Sequence, residues 1–232
     1  MKRQLPNAIT CCNLLSGCVA VYHAFIGFYD IAFLFIILGA VFDFLDGFSA
    51  RLLGVMSPIG KELDSLADLV TFGFAPATMV FFELCCVDYP SAVEGARGWL
   101  PFVAYLMTAF SALRLAKFNL DKRQQTSFIG LPTPANALFW SSLLLGGYGM
   151  GYGSRYAVVL LLALVLLSCY LLVCELPMFA LKFTHFGWRG NEVRYVFLIV
   201  CIPLIAVFRL LAPALIVILY VIISAYLALR KR

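Results

Sequence analysis

Residues 43–68 read DFLDGFSARLLGVMSPIGKELDSLAD. Four aspartates stand in this stretch: Asp43, Asp46, Asp64 and Asp68. They fall inside two apolar runs, approximately 30–53 and 60–86. Each run is long enough to cross a hydrocarbon core, which takes roughly 20 residues. An aspartate at the centre of a bilayer helix costs roughly 2.5–3.5 kcal/mol on insertion scales. Four of them in two adjacent spans therefore need a compensating partner. Asp43 and Asp46 are i and i+3, and Asp64 and Asp68 are i and i+4, so each pair shares one helix face. The short connection through Ser57, Pro58 and Gly60 predicts antiparallel packing with these faces together. Four converging carboxylates repel one another unless a cation holds them. An oxygen donor set with no His or Cys favours Mg²⁺, Mn²⁺ or Ca²⁺ over zinc. Gly47, Ala50, Gly54, Gly60 and Ala67 fall near the same faces. Small residues let helices approach each other, or let a charged ligand approach the backbone.

The rest of the chain is consistent with that environment. It has 232 residues, 63% hydrophobic and 12% charged, with a mean hydropathy of +0.98. A soluble domain is about half apolar and about a quarter charged. Disorder, a coiled coil and an ordinary globular domain are excluded. The apolar runs divide approximately as 8–28, 30–53, 60–86, 96–119, 133–151, 155–178, 192–209 and 210–230. The expected fold is all-α, a polytopic transmembrane helical bundle of about eight spans, forming one integral membrane domain over 1–232. Residues 195–229, taken as one helix, would be about 52 Å long at 1.5 Å per residue. That exceeds a hydrocarbon core of about 30 Å, so Arg209 and Pro213 predict a tight helical hairpin.

Charge sets the expected orientation. With the N-terminus inside, fourteen of the seventeen Lys and Arg fall on the inner side, leaving Arg97, Arg155 and Arg209 outside. Such a bias places the basic loops, and here both termini, in the cytoplasm. The net charge of +5 thus reads as orientation, and nucleic acid is not an expected partner. Met1-Lys2-Arg3 and the apolar stretch after it have no A-x-A-like cleavage pattern, which predicts a retained first span. The eight cysteines show no metal-binding spacing and are expected as small buried apolar residues. Asp30, Glu83, Asp88, Glu94, Asp121, Glu175 and Glu192 lie near helix ends or in loops, where solvation is expected. His23 reads as packing or lipid interface, and His185 with Trp188 as part of an interfacial aromatic belt.

Written as a pattern, the opening stretch is Asp43-x2-Asp46-Gly47-x2-Ala50-Arg51-x8-Gly60-x3-Asp64-x3-Asp68. This resembles the signature of the CDP-alcohol phosphotransferase family. The resemblance implies an intramembrane site open to the cytoplasm, in a core that is usually a homodimer. There a CDP-activated lipid or alcohol loses CMP to an acceptor hydroxyl. It implies that Asp43, Asp46 and Asp64 hold Mg²⁺ or Mn²⁺, two ions per site, with Asp68 shared or close by and acting as general base. Ca²⁺ fits the same ligands. It further implies that Gly47, Ala50 and Gly60 line a cytidine pocket, that Arg51 contacts the diphosphate and that Ser57 is near the nucleotide. Asn7 and Thr10, on the first span, close over the CDP moiety.

Two flanking segments bear on the acceptor. One is Pro6-Asn7-x2-Thr10-x2-Asn13-Leu14-x2-Gly17. The other is Arg114-Leu115-Ala116-Lys117-Phe118-Asn119, with Phe128-x-Gly130-Leu131-Pro132-x-Pro134-Ala135 after it. Both resemble the membrane-embedded bacterial and archaeal phosphatidylserine synthases of that family. This implies CDP-diacylglycerol and L-serine as substrates, in a prokaryotic cytoplasmic membrane. Lys117 departs from the arginine more usual at its position, which keeps the charge and loses bidentate binding. Serine brings a carboxylate, and Arg114, Lys117 and Asn119, at the inner end of the fourth span, are the candidates to meet it. Two other readings stay open on the residues alone. A sister synthase would use glycerol 3-phosphate or an inositol phosphate, and a divalent-cation carrier would use intramembrane carboxylates without the fixed Gly, Ala and Arg positions.

Overall fold

The computed structural model describes residues 4–55, 57–121, 128–147, 157–179, 187–188 and 190–230. Helix α1 (Gln4–Phe25) packs along α2 (Tyr29–Leu53). The join between the two aspartate-bearing helices is written in local sequence. Gly54 ends α2 with φ 63°, and its N–H points back to the carbonyls of Ala50 and Arg51. A left-handed residue at this position costs glycine nothing and satisfies otherwise orphaned carbonyls. Helix α3 (Pro58–Asp68) opens with Ser57 as its N-cap, the Oγ accepting from Gly60 N at 3.0 Å, and with a proline in its first turn. From Asp68 the helix passes through a π-helical segment (Leu69–Phe74) into α4 (Ala75–Cys86). A π segment is rare and concentrates at functional sites. Here it follows the last aspartate directly.

The later elements depart in places from the apolar runs. The expected fourth span starts late: Leu100–Tyr105 is 3₁₀, and regular helix α5 covers Leu106–Leu120. Pro101 cannot donate into a helix interior, so the α ladder begins after it. Helix α6 (Thr133–Gly146) starts behind Pro132, and α7 covers Ala157–Val173. The expected sixth span ends early. Pro177–Met178 (β2) instead pairs antiparallel with Phe128–Ile129 (β1), a two-residue clip in a chain that is otherwise helical. Pro177 biases the residue before it away from helix. Gly130 has φ 74°, and a Cβ there would lie 2.9 Å from the Leu172 carbonyl oxygen and 3.0 Å from that of Cys174. The 128–131 segment thus lies on the end of α7 at backbone contact.

The last two helices are α8 (Glu192–Phe208) and α9 (Ala212–Arg230), joined by a 3₁₀ turn. Arg209 takes φ 45° at the break. The chain then folds back, because the rings of Phe197 and Tyr220 lie 6.2 Å apart. The Tyr220 hydroxyl donates to the carbonyl of Phe179 at 3.0 Å. Among the described residues four stretches are long and apolar enough to cross a membrane: Gln4–Phe25, Tyr29–Leu53, Pro58–Cys86 and Glu192–Arg230, the last being this folded pair. Leu34, Leu160, Tyr170, Ile202 and Val207 are each more than half exposed. So much large apolar surface is untenable in water and suited to lipid. The protein is a polytopic membrane helical bundle.

Two sequence expectations are corrected. Glu83 is not solvated: it is 4% exposed, and the Tyr29 hydroxyl donates to its Oε2 at 2.9 Å. A helix end can be buried by its neighbours, which a helix-end position alone does not reveal. Of the eight cysteines, all free, only Cys169 and Cys201 are buried, and Cys11, Cys12, Cys18, Cys85 and Cys86 are exposed. A thiol is apolar enough to face lipid. The expectations for Lys2, Arg3, Lys122, Arg123, Arg155, Lys182, His185, Arg189, Lys231 and Arg232 fall outside the described residues.

Candidate functional site

Three glycine and threonine positions set the site from below. Gly39 is one turn before Asp43, Thr71 is one turn after Asp68, and Gly17 is one turn after Asn13. A Cβ on Gly39 would stand 2.5 Å from Thr71 Cγ2 and 2.9 Å from Asn13 Oδ1, and a Cβ on Gly17 would overlap Thr71. Thr71 Oγ1 donates to the Asn13 carbonyl at 3.0 Å. Helices α1, α2 and the π segment therefore meet at near-backbone distance. Each carries a polar site residue one turn away, so those residues converge.

The carboxylates of Asp43, Asp64 and Asp68 each bring an oxygen within 4.8 Å of the others. Asp46 stands beside this trio and is buried, its Oδ2 accepting from Thr10 Oγ1 at 2.5 Å. Asn13 Nδ2 donates to Asp68 Oδ1 at 3.1 Å. Asp64 Oδ1 is buried with no hydrogen-bond partner. Among the described residues no basic side chain forms an ion pair with these aspartates; the pair found is Arg97 with Glu94. An orphaned buried carboxylate oxygen beside two more carboxylates is a donor set that suits a hard divalent cation. Without one, mutual repulsion at this spacing disfavours the charged cluster.

A cavity of about 540 Å³ opens beside the trio, with Asp46 and Asp64 in its wall. All seven residues expected around the CDP moiety line it: Asn7, Thr10, Gly47, Ala50, Arg51, Ser57 and Gly60. Their small size has two different causes. A Cβ on Gly60 would lie 3.1 Å from both Asn7 Oδ1 and Ser57 Oγ, so here glycine permits close approach. A Cβ on Gly47 would meet nothing closer than Arg51 Nη2 at 4.0 Å, so glycine there leaves space in the cavity. Ser57 both lines the cavity and caps α3.

The three residues expected at the acceptor are only partly brought together. Arg114 and Lys117 share a second cavity, of about 320 Å³. Arg114 is 7% exposed and donates through Nη1 to Thr133 Oγ1 at 3.0 Å. Asn119 turns the other way: its Nδ2 donates to Ser65 Oγ at 2.9 Å, and its carbonyl accepts from Lys61 Nζ at 2.9 Å. It ties the end of α5 to α3. Sequence reasoning gave no role to Asn13, Lys61 or Thr133. Asn13 carried a signal, since Asn7, Thr10 and Asn13 recur every three residues in an apolar helix. Thr133 and Lys61 carried none, because their partners lie on other helices.

The family model described as CDP-alcohol phosphatidyltransferase matches residues 3–226. The chain is 37% identical over 134 residues to the CDP-diacylglycerol--serine O-phosphatidyltransferase of Bacillus subtilis, covering 56% of this chain and 69% of that protein. It is 32% identical over 181 residues to the protein of that name from Mycobacterium leprae, covering 75% of this chain and 57% of the relative. It is 28% identical over 166 residues to the archaetidylserine synthase of Methanothermobacter thermautotrophicus, covering 71% and 67%. The matched regions thus cover between 57% and 69% of the length of these relatives.

Proposed function

Because this chain belongs to the CDP-alcohol phosphatidyltransferase family, we propose that it transfers the phosphatidyl group of CDP-diacylglycerol to the hydroxyl of L-serine, giving phosphatidylserine and CMP. The observation that carries the reading is the joint wall: Asp64 belongs both to the carboxylate trio and to the 540 Å³ cavity. A diphosphate lying in that cavity would have its reacting phosphorus beside the carboxylates. The choice of serine is supported by the names of the relatives.

The residues divide the work. Arg51 meets the diphosphate, while Asn7, Thr10, Gly47, Ala50, Ser57 and Gly60 enclose the nucleotide. Asp43, Asp46 and Asp64, with Asp68 shared, hold Mg²⁺ or Mn²⁺, and Ca²⁺ can replace them in vitro. A divalent ion held by these carboxylates would neutralise charge on the diphosphate and on the departing CMP. Asp68, oriented by Asn13, takes the proton of the serine hydroxyl. That oxygen forms a bond to the phosphorus bearing the diacylglycerol. The bond from this phosphorus to the bridging oxygen breaks, and CMP leaves with the electron pair. Arg114 and Lys117 receive the serine carboxylate, with Asn119 bracing the helix that carries them. The chain acts as one domain over 1–232, as a homodimer in a prokaryotic cytoplasmic membrane, with its site and both termini facing the cytoplasm.

The test is release of CMP by purified protein in detergent, given CDP-diacylglycerol, Mn²⁺ or Mg²⁺ and labelled serine. Label should move into lipid as CMP appears. CMP release with glycerol 3-phosphate and none with serine would refute the acceptor. Metal flux in proteoliposomes lacking CDP-lipid would point to a carrier instead.

A further inference from the structure

The second cavity carries more than the two bases already placed there. Its wall holds Arg114 and Lys117 on one side of the charge balance and Asp121 and Glu175 on the other. The acidic pair comes from two different elements, the cap of α5 and the segment after α7. Leu172 and Val173 of α7, with Ile129 of β1, supply an apolar floor. Arg114 is 93% buried by its 7% exposure, and its Nε has no hydrogen-bond partner. A buried guanidinium nitrogen with no acceptor is costly, and a carboxylate in the cavity would satisfy it.

We propose that this cavity selects the acceptor as a zwitterion: Arg114 and Lys117 take the carboxylate of an amino acid, and Asp121 with Glu175 take its ammonium group. The inference rests on the phosphatidylserine synthase reading and deepens it. A basic pocket alone would accept a phosphate-bearing alcohol as readily as serine. Two carboxylates in the wall oppose a phosphate dianion and attract an ammonium, so the same four side chains both recruit the amino acid and reject its anionic competitors. The β1–β2 clip contributes by holding the 128–131 segment against α7, which keeps the cavity floor in place.

The experiment uses the full chain in detergent with CDP-diacylglycerol and Mn²⁺. The acceptors are L-serine, 3-hydroxypropanoate (which lacks the ammonium), ethanolamine (which lacks the carboxylate) and glycerol 3-phosphate. The parent should release CMP with L-serine and far less with the other three. In the double variant Asp121→Asn/Glu175→Gln the KM for L-serine should rise about tenfold or more, as expected when a charged hydrogen-bonding partner is lost. The KM for CDP-diacylglycerol should stay within about twofold, and the preference for L-serine over 3-hydroxypropanoate should shrink by a similar factor. The single variant Glu175→Gln, at an exposed position, guards against misfolding of the double variant and should show an intermediate rise. An unchanged serine KM in both variants overturns this inference and leaves the synthase reading intact. A parent that uses glycerol 3-phosphate but not serine overturns both.

Discussion

Pro58–Cys86 and Glu192–Arg230 are both apolar stretches long enough to cross a membrane, yet 61% of an apolar 18-residue window in the first is buried within the protein, against 11% in the second. The first contains Asp64, Asp68, Thr71, Thr78 and Glu83; the second, apart from Glu192, Arg194, Arg209 and Arg230, is almost purely apolar. The more polar stretch is the more buried one. In lipid, apolar side chains gain little by leaving the surface, and helix association rests on close packing of small residues and on polar contacts. The site is therefore built where helices touch at Gly17, Gly39 and Thr71, and the α8–α9 pair can spread its leucines and isoleucines outward.

That contrast is open to attack at several points. Asp68→Asn should lower CMP release by about 10²–10⁴, the usual contribution of a general base, while binding of labelled CDP-diacylglycerol persists. Turnover near the parent value would remove Asp68 from the base role. Gly39→Val places new carbons where Thr71 and Asn13 already lie, and overpacking of this kind costs about 1–3 kcal/mol. Its thermal midpoint in detergent should fall accordingly, and activity with it. Asn13→Ala removes the hydrogen bond to Asp68 and should slow CMP release by about tenfold, with the KM for CDP-diacylglycerol unmoved. Gly47→Ala places a Cβ in open cavity space, with Arg51 Nη2 4.0 Å away, so it should raise that KM and leave the thermal midpoint alone. Ile202→Ala, on the outer face of α8, should change stability by no more than about 0.5 kcal/mol. A larger fall would show that a second copy of the chain covers that face.

Much of the architecture was legible because its signals are local. The apolar runs, the short connection through Ser57, Pro58 and Gly60 and the break at Arg209 each depend on a few adjacent residues. The cavity lining was legible only through the family resemblance, which named Asn7, Thr10, Gly47, Ala50, Arg51, Ser57 and Gly60, all of which line it. Glu83 was misplaced because its burial depends on Tyr29, fifty-four positions away. Asn119 was placed beside Arg114 and Lys117 from its nearness in sequence, but five residues on from Arg114 its side chain points toward α3 instead. The end of α7 was drawn too long because the run stays largely apolar past Glu175, and only the pairing with β1 shows where the helix stops.

The sequence by itself determined that this chain lives in a bilayer, that four carboxylates lie on two helix faces and that a hard cation suits them. Hydropathy and helical phase are properties of a segment, and they survive any rearrangement of its neighbours. The tertiary structure decided which carboxylates meet: Asp43, Asp64 and Asp68 converge, Asp46 turns to Thr10, and Asn13 reaches Asp68 from another helix. It also decided that Asp121 and Glu175 share a cavity with Arg114 and Lys117. Helical phase sets the direction of a side chain around its own axis. The separation and crossing of the axes are set elsewhere, by the closest approach that Gly17 and Gly39 allow to Thr71.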